Sequence, residues 1–399
     1  MNADNHSRKN GSVPLQTECN EAVTPQQPSL GVMLHITPQG EQSPAQTYTE
    51  FTELVQAIEG IGFDEAWVTE HHFTPHSLTP SPLLMMGHFL AHTQTLKLGS
   101  AAVLIGFHNP IEVAEQLAVL NTLHPNRLLC GFAKGGPFES QNAAFKANSE
   151  LSRERMEEAV PALLGLLNSE KDPEKNLEKD LEKHPDTTQD QPSPHTHQGK
   201  HYQWQGVALH PHTVMPSSRF LLATSHPSSV RLAAENDLGL MAAQFWSQDK
   251  IAENIQQYQQ AHSKGDAPDM MAARGLFIDD DPVVAREKAL AHIHAFRTQK
   301  SQLWGQHKGP MHNMDDDQML SRALCGTVEQ VRAQTHALLA LGVTRLGLNP
   351  LTTQHECRLL QLERFYEEVW SDIVVQTDKQ NAENKPENRV GSGLKRAFA

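Results

Sequence analysis

Segment 62–73, GFDEAWVTEHHF, ends a short apolar run in three side chains able to move protons or ligate: Glu70, His71 and His72. Ala66, Trp67 and Val68 are too few for a helix, and Pro75 stops any regular continuation, so the run reads as a buried strand. Ligands bind at the carboxyl ends of parallel strands in α/β folds, which makes proton transfer to a bound molecule one use of the triplet. Bonding to nearby carbonyls at a strand end is the other, and spacing leaves both open. No metal site is expected, because adjacent strand residues face opposite sides and His71 and His72 do not readily share an ion.

Two further clusters carry chemistry. AKGGP (133–137) sets Lys134 beside Gly135 and Gly136, a point cation next to exposed backbone N–H groups, which suits either an anion or a simple turn. ATSHPSSV (223–230) sets Ser225, Ser228 and Ser229 where a helix begins, as an anion cradle or an ordinary cap. Phe107, Phe138 and Trp246 are candidate apolar walls or core. Together these groups describe a flat ligand, tethered by a phosphate, across an apolar mouth.

Positioning them requires a repeating frame. Strands are expected at 30–36, at the run ending in His71, and at 96–105, 127–133, 220–225, 239–245, 272–278 and 345–350. Helical periodicity falls between them, beginning at 48–60, where Phe51, Leu54, Val55 and Ile58 share a face, and at 82–92 and 110–123. The fold class is therefore α/β, a (β/α)8 TIM barrel with insertions, spanning 30–376. A doubly wound open sheet would want a glycine-rich turn after the first strand, and HITPQGEQSP has one glycine. The charged stretch 169–200, including His195 and His197, reads as a solvated loop, and 299–325, with Trp304, as a candidate lid. The polar tails 1–29 and 377–399 are expected to be disordered.

Composition narrows the partners. A formal charge of -14 without a basic stripe argues against nucleic acid. Cys19, Cys130, Cys325 and Cys357 lie far apart, so a disulfide framework is not expected and a reducing cytoplasm fits. No stretch has the length of a signal peptide or membrane span, so a soluble protein is expected.

GFDEAWVTEHHF, then LKLGSAAVLIGFHNPIEVAEQLAVLNTLHPNRLLCGFAKG, then FLLATSHPSSVRLAAENDLGL, then CGTVEQVRAQTHALLALGVTRLGLNP resemble, in content and order, the bacterial luciferase-like family of flavin-dependent monooxygenases. The resemblance implies a barrel that binds reduced FMN at its carboxyl rim. His71 would lie beside the reactive ring, with Glu70 and His72 as neighbours. Ala101 and Ala102 would carry a non-proline cis peptide against the ring. Lys134 and Gly135 would meet the phosphate, with Ser225 and Ser228 completing that site and Trp246 as a wall. Luciferase itself has cysteine and arginine where this chain has Ala133 and Lys134, which argues against light emission and removes a forked donor. The implied activity is oxygenation of a small organic substrate with dioxygen, with reduced FMN from a separate flavin reductase, in a homodimer. A deazaflavin-dependent hydride-transferring oxidoreductase and a non-catalytic flavin-binding protein are the alternatives.

Overall fold

The computed structural model describes residues 27–136, 138–168, 194–303 and 311–375. Trp304, most of the charged insertion and nearly all of both tails lie outside that set. In chain order the strands are β1 (Ser29–Leu34), β2 (Glu65–Val68), β3 (Lys97–Val103), β4 (Leu128–Phe132), β5 (His195–Gln198), β6 (Gln203–Val207), β7 (Phe220–Leu222), β8 (Gly239–Ala242), β9 (Met270–Ile278), β10 (Ala323–Gly326) and β11 (Arg345–Pro350). Eight of them pair in parallel as β9-β11-β1-β2-β3-β4-β7-β8, and β8 pairs back onto β9. The ring is closed. It is the expected (β/α)8 barrel, and every strand delivers its carboxyl end to one rim.

The helices are α1 (Pro44–Ile61), α2 (Pro82–Ala91), α3 (Pro110–Leu123), α4 (Glu139–Ala144), α5 (Ser149–Leu167), α6 (Pro227–Glu235), α7 (Gln248–Ala261), α8 (Pro282–Leu303), α9 (Asp316–Leu320), α10 (Val328–Ala340) and α11 (His355–Phe365). Helix α1 starts a turn earlier than its apolar face suggests. Ser43 caps it in a reciprocal capping box with Gln46, and Pro44 occupies the first turn. Gly62, at φ 113°, ends it in the left-handed conformation.

Two expectations need correction. Residues 195–198 are not loop: they form β5, which pairs antiparallel with β6 through His195↔Val207 and His197↔Trp204. Nor is 299–325 one loop, because α8 runs to Leu303, α9 follows, and Ala323–Gly326 is β10. The cause lies in β9. Its nine residues outrun the four of β8, so the carboxyl half of β9 would leave an unpaired edge, and β10 covers it from Ala323↔Gly275 to Gly326↔Ile278.

Apolar residues pack in two layers, one between sheet and helices and one inside the barrel. The inner layer includes Met33, Trp67, Leu129, Leu221, Met241 and Met271. Trp67 fills the lumen with no solvent exposure, and its Nε1 donates to Glu65 Oε2 at 3.0 Å. Gly31 and Gly99, on the flanking strands, make room for that ring, since a methyl at Gly99 would overlap it. We expect Gly99→Ala to cost about 1–3 kcal/mol in denaturant unfolding, as overpacking does. Gly60→Ala, at an exposed α1 position where nothing lies within 4 Å, should be neutral or stabilising. Equal behaviour of the two variants would contradict the packing account.

Candidate active site

At the end of β2, Glu70 and His71 divide the work of holding and facing. Glu70 is buried, and its Oε1 meets His72 Nε2 at 2.7 Å and His108 Nε2 at 2.8 Å. Its Oε2 accepts the Leu104 N–H at 2.9 Å. The carboxylate therefore ties the end of β2 to the end of β3 and to the turn that leads into α3. Burial alone would raise its pKa, but the His108, His72 and Leu104 hydrogen bonds outweigh it and hold the group below the ordinary value. His108 shows the reverse balance. Burial would lower it, yet the bond and charge of Glu70 raise it. The ligand atoms of Glu70, His72 and His108 lie within 4.8 Å of one another. The direct contacts are hydrogen-bond distances to a single carboxylate oxygen.

His71 points elsewhere, into a cavity of about 380 Å³ at the carboxyl rim. Its backbone N–H donates to Thr79 O at 3.0 Å, and its ring stacks on His35 with centroids 6.2 Å apart. Burial, with Lys300 and His35 adding repulsion, drives the His71 pKa well below 6.5, so the imidazole is neutral at neutral pH. His35 is pushed to about 3 by burial, then by Lys300 and His292. Ala101, Ala102, Ala133, Ala223, Ala242 and Ala273 line the same cavity with no atom beyond Cβ. The Ala101–Ala102 peptide is cis, as the family resemblance implies. Trp246 closes one side, and its carbonyl accepts from buried Arg274 at 3.1 Å. Phe138 lines the cavity too, whereas Phe107 stacks on Phe145 outside it, centroids 5.0 Å apart.

Lys134, Gly135, Ser225 and Ser228 do not line this cavity. They stand just beyond it, because Ala133 and Ala223 line it and the chain leaves the rim there on the paired strands β4 and β7. Gly135, at φ 93°, sits where a Cβ would strike the Phe107 ring. Lys134 Nζ donates to Ser149 Oγ at 2.6 Å, and burial followed by repulsion from Arg153 lowers its pKa. Ser228 and Ser229 each donate to Glu157 Oε1 at 2.5 Å, while the Ser225 hydroxyl makes no hydrogen bond among the described residues. Ser149, Arg153 and Glu157 recur every fourth residue along one face of α5, so Arg153 lies between the partners of Lys134 and of Ser228. Arg153 Nε is buried and has no hydrogen-bond partner among the described residues. Helix α6 starts beside it with no side-chain cap. These features make a cationic corner with donors to spare.

Sequence reasoning missed His35, His108, Arg153, Glu157 and Lys300. His35 was visible as the one polar group near the end of the first apolar strand. Arg153 and Glu157 sit in SELSRERMEE, which reads as an ordinary charged helix face.

A closed parallel barrel whose carboxyl rim carries an apolar cavity next to buried histidines is the usual architecture of a barrel enzyme's active site. The chain belongs to the luciferase-like monooxygenase family, which it matches over residues 29–345. It is 30% identical over 204 residues to limonene 1,2-monooxygenase of Rhodococcus erythropolis, covering 51% of this chain and 49% of that protein. The chain spans between 28% and 66% of the length of the first curated relatives it matches. Among solved structures, monooxygenase RslO1 from Streptomyces bottropensis superposes with a TM-score of 0.71 at 23% identity, over 86% of this chain and 99% of that one. The oxygenating constituent of 3,6-diketocamphane monooxygenase from Pseudomonas putida, in complex with FMN, gives 0.65 at 16%, over 86% and 97%. These likenesses establish the fold. Among the described residues no helix is long and apolar enough to cross a membrane.

The Glu70 network has a defined pH window. Stabilisation by Glu70 is complete above its ordinary value of 4.5 and is lost as pH falls through its lower folded value. Stabilisation by His108 is complete below 6.5 and is lost as pH rises through its higher folded value. Glu70→Gln should therefore cost about 2–4 kcal/mol in unfolding free energy near pH 5.5, and less near pH 9. A cost that grows towards alkaline pH would contradict this assignment.

Proposed function

We propose that this protein is a flavin-dependent monooxygenase that uses reduced FMN and dioxygen to oxygenate a small organic molecule. The observation that carries the reading is the cationic corner, with the unpartnered Arg153 Nε beside Lys134, one strand end away from an alanine-floored cavity holding His71. Membership of the luciferase-like family and the FMN complex of a similar fold support it. The residues present fit the cofactor. A floor without side chains beyond Cβ leaves space for a flat ring over Ala101 and Ala102, and the unpartnered Nε–H of Arg153 suits a phosphate oxygen.

Reduced FMN, when bound, supplies the electrons that activate dioxygen for transfer of one oxygen atom. Lys134, Arg153, Gly135 and the first N–H groups of α6 would hold its phosphate, with the hydroxyls of Ser225 and Ser228. For Ser228 to take part, Glu157 must give up its hydrogen bond. Arg153 returns the forked donor that Lys134 lacks. His71, neutral at working pH, would offer a ring nitrogen for hydrogen bonding to a ligand in the cavity that it lines. Glu70 and His72 act as positioning residues, since the Glu70 carboxylate is spent on His72, His108 and the Leu104 N–H just past β3. Trp246, held through Arg274, excludes water from one side. A separate flavin reductase as source of reduced FMN and a cytoplasmic location complete the reading, with a homodimer as the resemblance implies.

Anaerobic titration with reduced FMN tests the corner. Arg153→Met should weaken binding by about 10- to 100-fold, the worth of a charge-assisted pair. Glu157→Gln should tighten it, because a carboxylate leaves the phosphate's surroundings. Rapid mixing of the loaded protein with oxygenated buffer tests His71. Wild type should give a transient absorbance matching neither reduced nor oxidised flavin, shortened at least about 100-fold in His71→Ala while FMN affinity is kept. Direct conversion to oxidised flavin in wild type, or unchanged affinity in Arg153→Met, would remove the proposal.

A further inference from the structure

Lys300 projects from α8 into the wall of the cavity that contains His71. Among the described residues no carboxylate pairs with it. Its Nζ lies 5.4 Å from the Phe296 ring centroid and 5.9 Å from that of Phe138. Two aromatic faces can hold an ammonium at an apolar wall, but they leave its hydrogen-bond donors unspent. Burial lowers its pKa to about 8, so the group is still mostly charged at pH 7.

The other charged or titratable groups near it do not answer that charge. His35 and His71 face it from the ends of the first two strands, and both are neutral at pH 7. Arg297, one turn back on α8, is engaged already: Nη2 contacts His294 Nδ1 at 2.8 Å and Nη1 donates to Met314 O at 3.3 Å. Behind Lys300 a side chamber of about 30 Å³, lined by His35, Thr37 and Ser77, has room for about one water. The cationic corner of Lys134 and Arg153 lies outside the cavity, off β4 and α5. Among the described residues that line the cavity, the cations are Lys300 and Arg297, neither paired with a carboxylate, and the one carboxylate there, Glu70, is spent on His72, His108 and the Leu104 N–H. Closing an apolar ligand over such a charge is unfavourable unless the ligand carries the counter-ion.

Resting on the monooxygenase reading above, we propose that Lys300 recognises a carboxylate on the molecule to be oxygenated. The substrate class is then a small apolar body bearing a single negative charge. Lys300 is the specificity-determining residue that anchors that charge, and the apolar remainder lies against Phe245, Phe296 and Met311, which line the same cavity and leave the alanine floor to the flavin ring.

Calorimetric binding to the FMN-loaded protein at pH 7 tests the assignment, with benzoate, phenylacetate and octanoate each compared with its primary amide. Wild type should prefer at least one carboxylate over its amide by about tenfold or more. Lys300→Met should lose the preference and Lys300→Arg should keep it, with FMN affinity unchanged in both. Equal affinity for acid and amide, no binding of any carboxylate, or a preference that survives in Lys300→Met would overturn the proposal. Failure of wild type to bind FMN would instead remove the flavin reading on which it rests, so the two failures are distinguishable.

Discussion

The rim of this barrel depends on one buried carboxylate. Glu70 sits where water cannot solvate it, and an isolated charge there would cost several kcal/mol. Three donors, from His72, His108 and the Leu104 backbone, offset that cost at 2.7–2.9 Å. The result is a crosslink between two strand ends and the start of α3. Because Glu70 is committed to holding, the next residue is free to face the cavity. Adjacent positions at a strand end diverge, and the chain uses that divergence to separate support from chemistry.

Charge is partitioned just as clearly. His35 and His71 are stripped of charge by burial and by a nearby ammonium, so they face the cavity as neutral imidazoles rather than cations. Positive charge is kept at two separate places, the α5 corner with Lys134 and Arg153 and the α8 wall with Lys300. Ala133 and Ala223, the residues just past β4 and β7, line the cavity next in sequence to the corner, so a ligand anionic at one end and flat at the other could span both. Glu157 keeps Ser228 and Ser229 satisfied in the absence of an anion, at the expense of a carboxylate close to where one would bind.

Much of the frame was legible because it follows from local pattern. Phe51, Leu54, Val55 and Ile58 do form the buried face of α1, and the eight barrel strands fall where the apolar runs predict them. His71 was legible from the apolar run that ends beside it, whereas the roles of Ala101 and Ala102 came only from the family resemblance. The remainder depends on contacts that no local pattern encodes. β10 exists because β9 is longer than β8. Arg153 and Lys300 look like solvated helix charges, yet the fold leaves Arg153 Nε without a hydrogen-bond partner among the described residues and sets Lys300 against Phe296 and Phe138 with no carboxylate paired to it among them. His108 is read as a loop residue until Glu70, 38 positions earlier, is seen to reach it.

The central claim is spatial: one ligand bridges the α5 corner and the alanine floor next to His71. A crystal structure of the protein soaked with FMN tests it most directly. The account predicts the phosphate within hydrogen-bond reach of Arg153 and Lys134, and the ring against the Ala101–Ala102 peptide on the His71 side. A phosphate seated anywhere else on the barrel, with the ring away from His71, would contradict it.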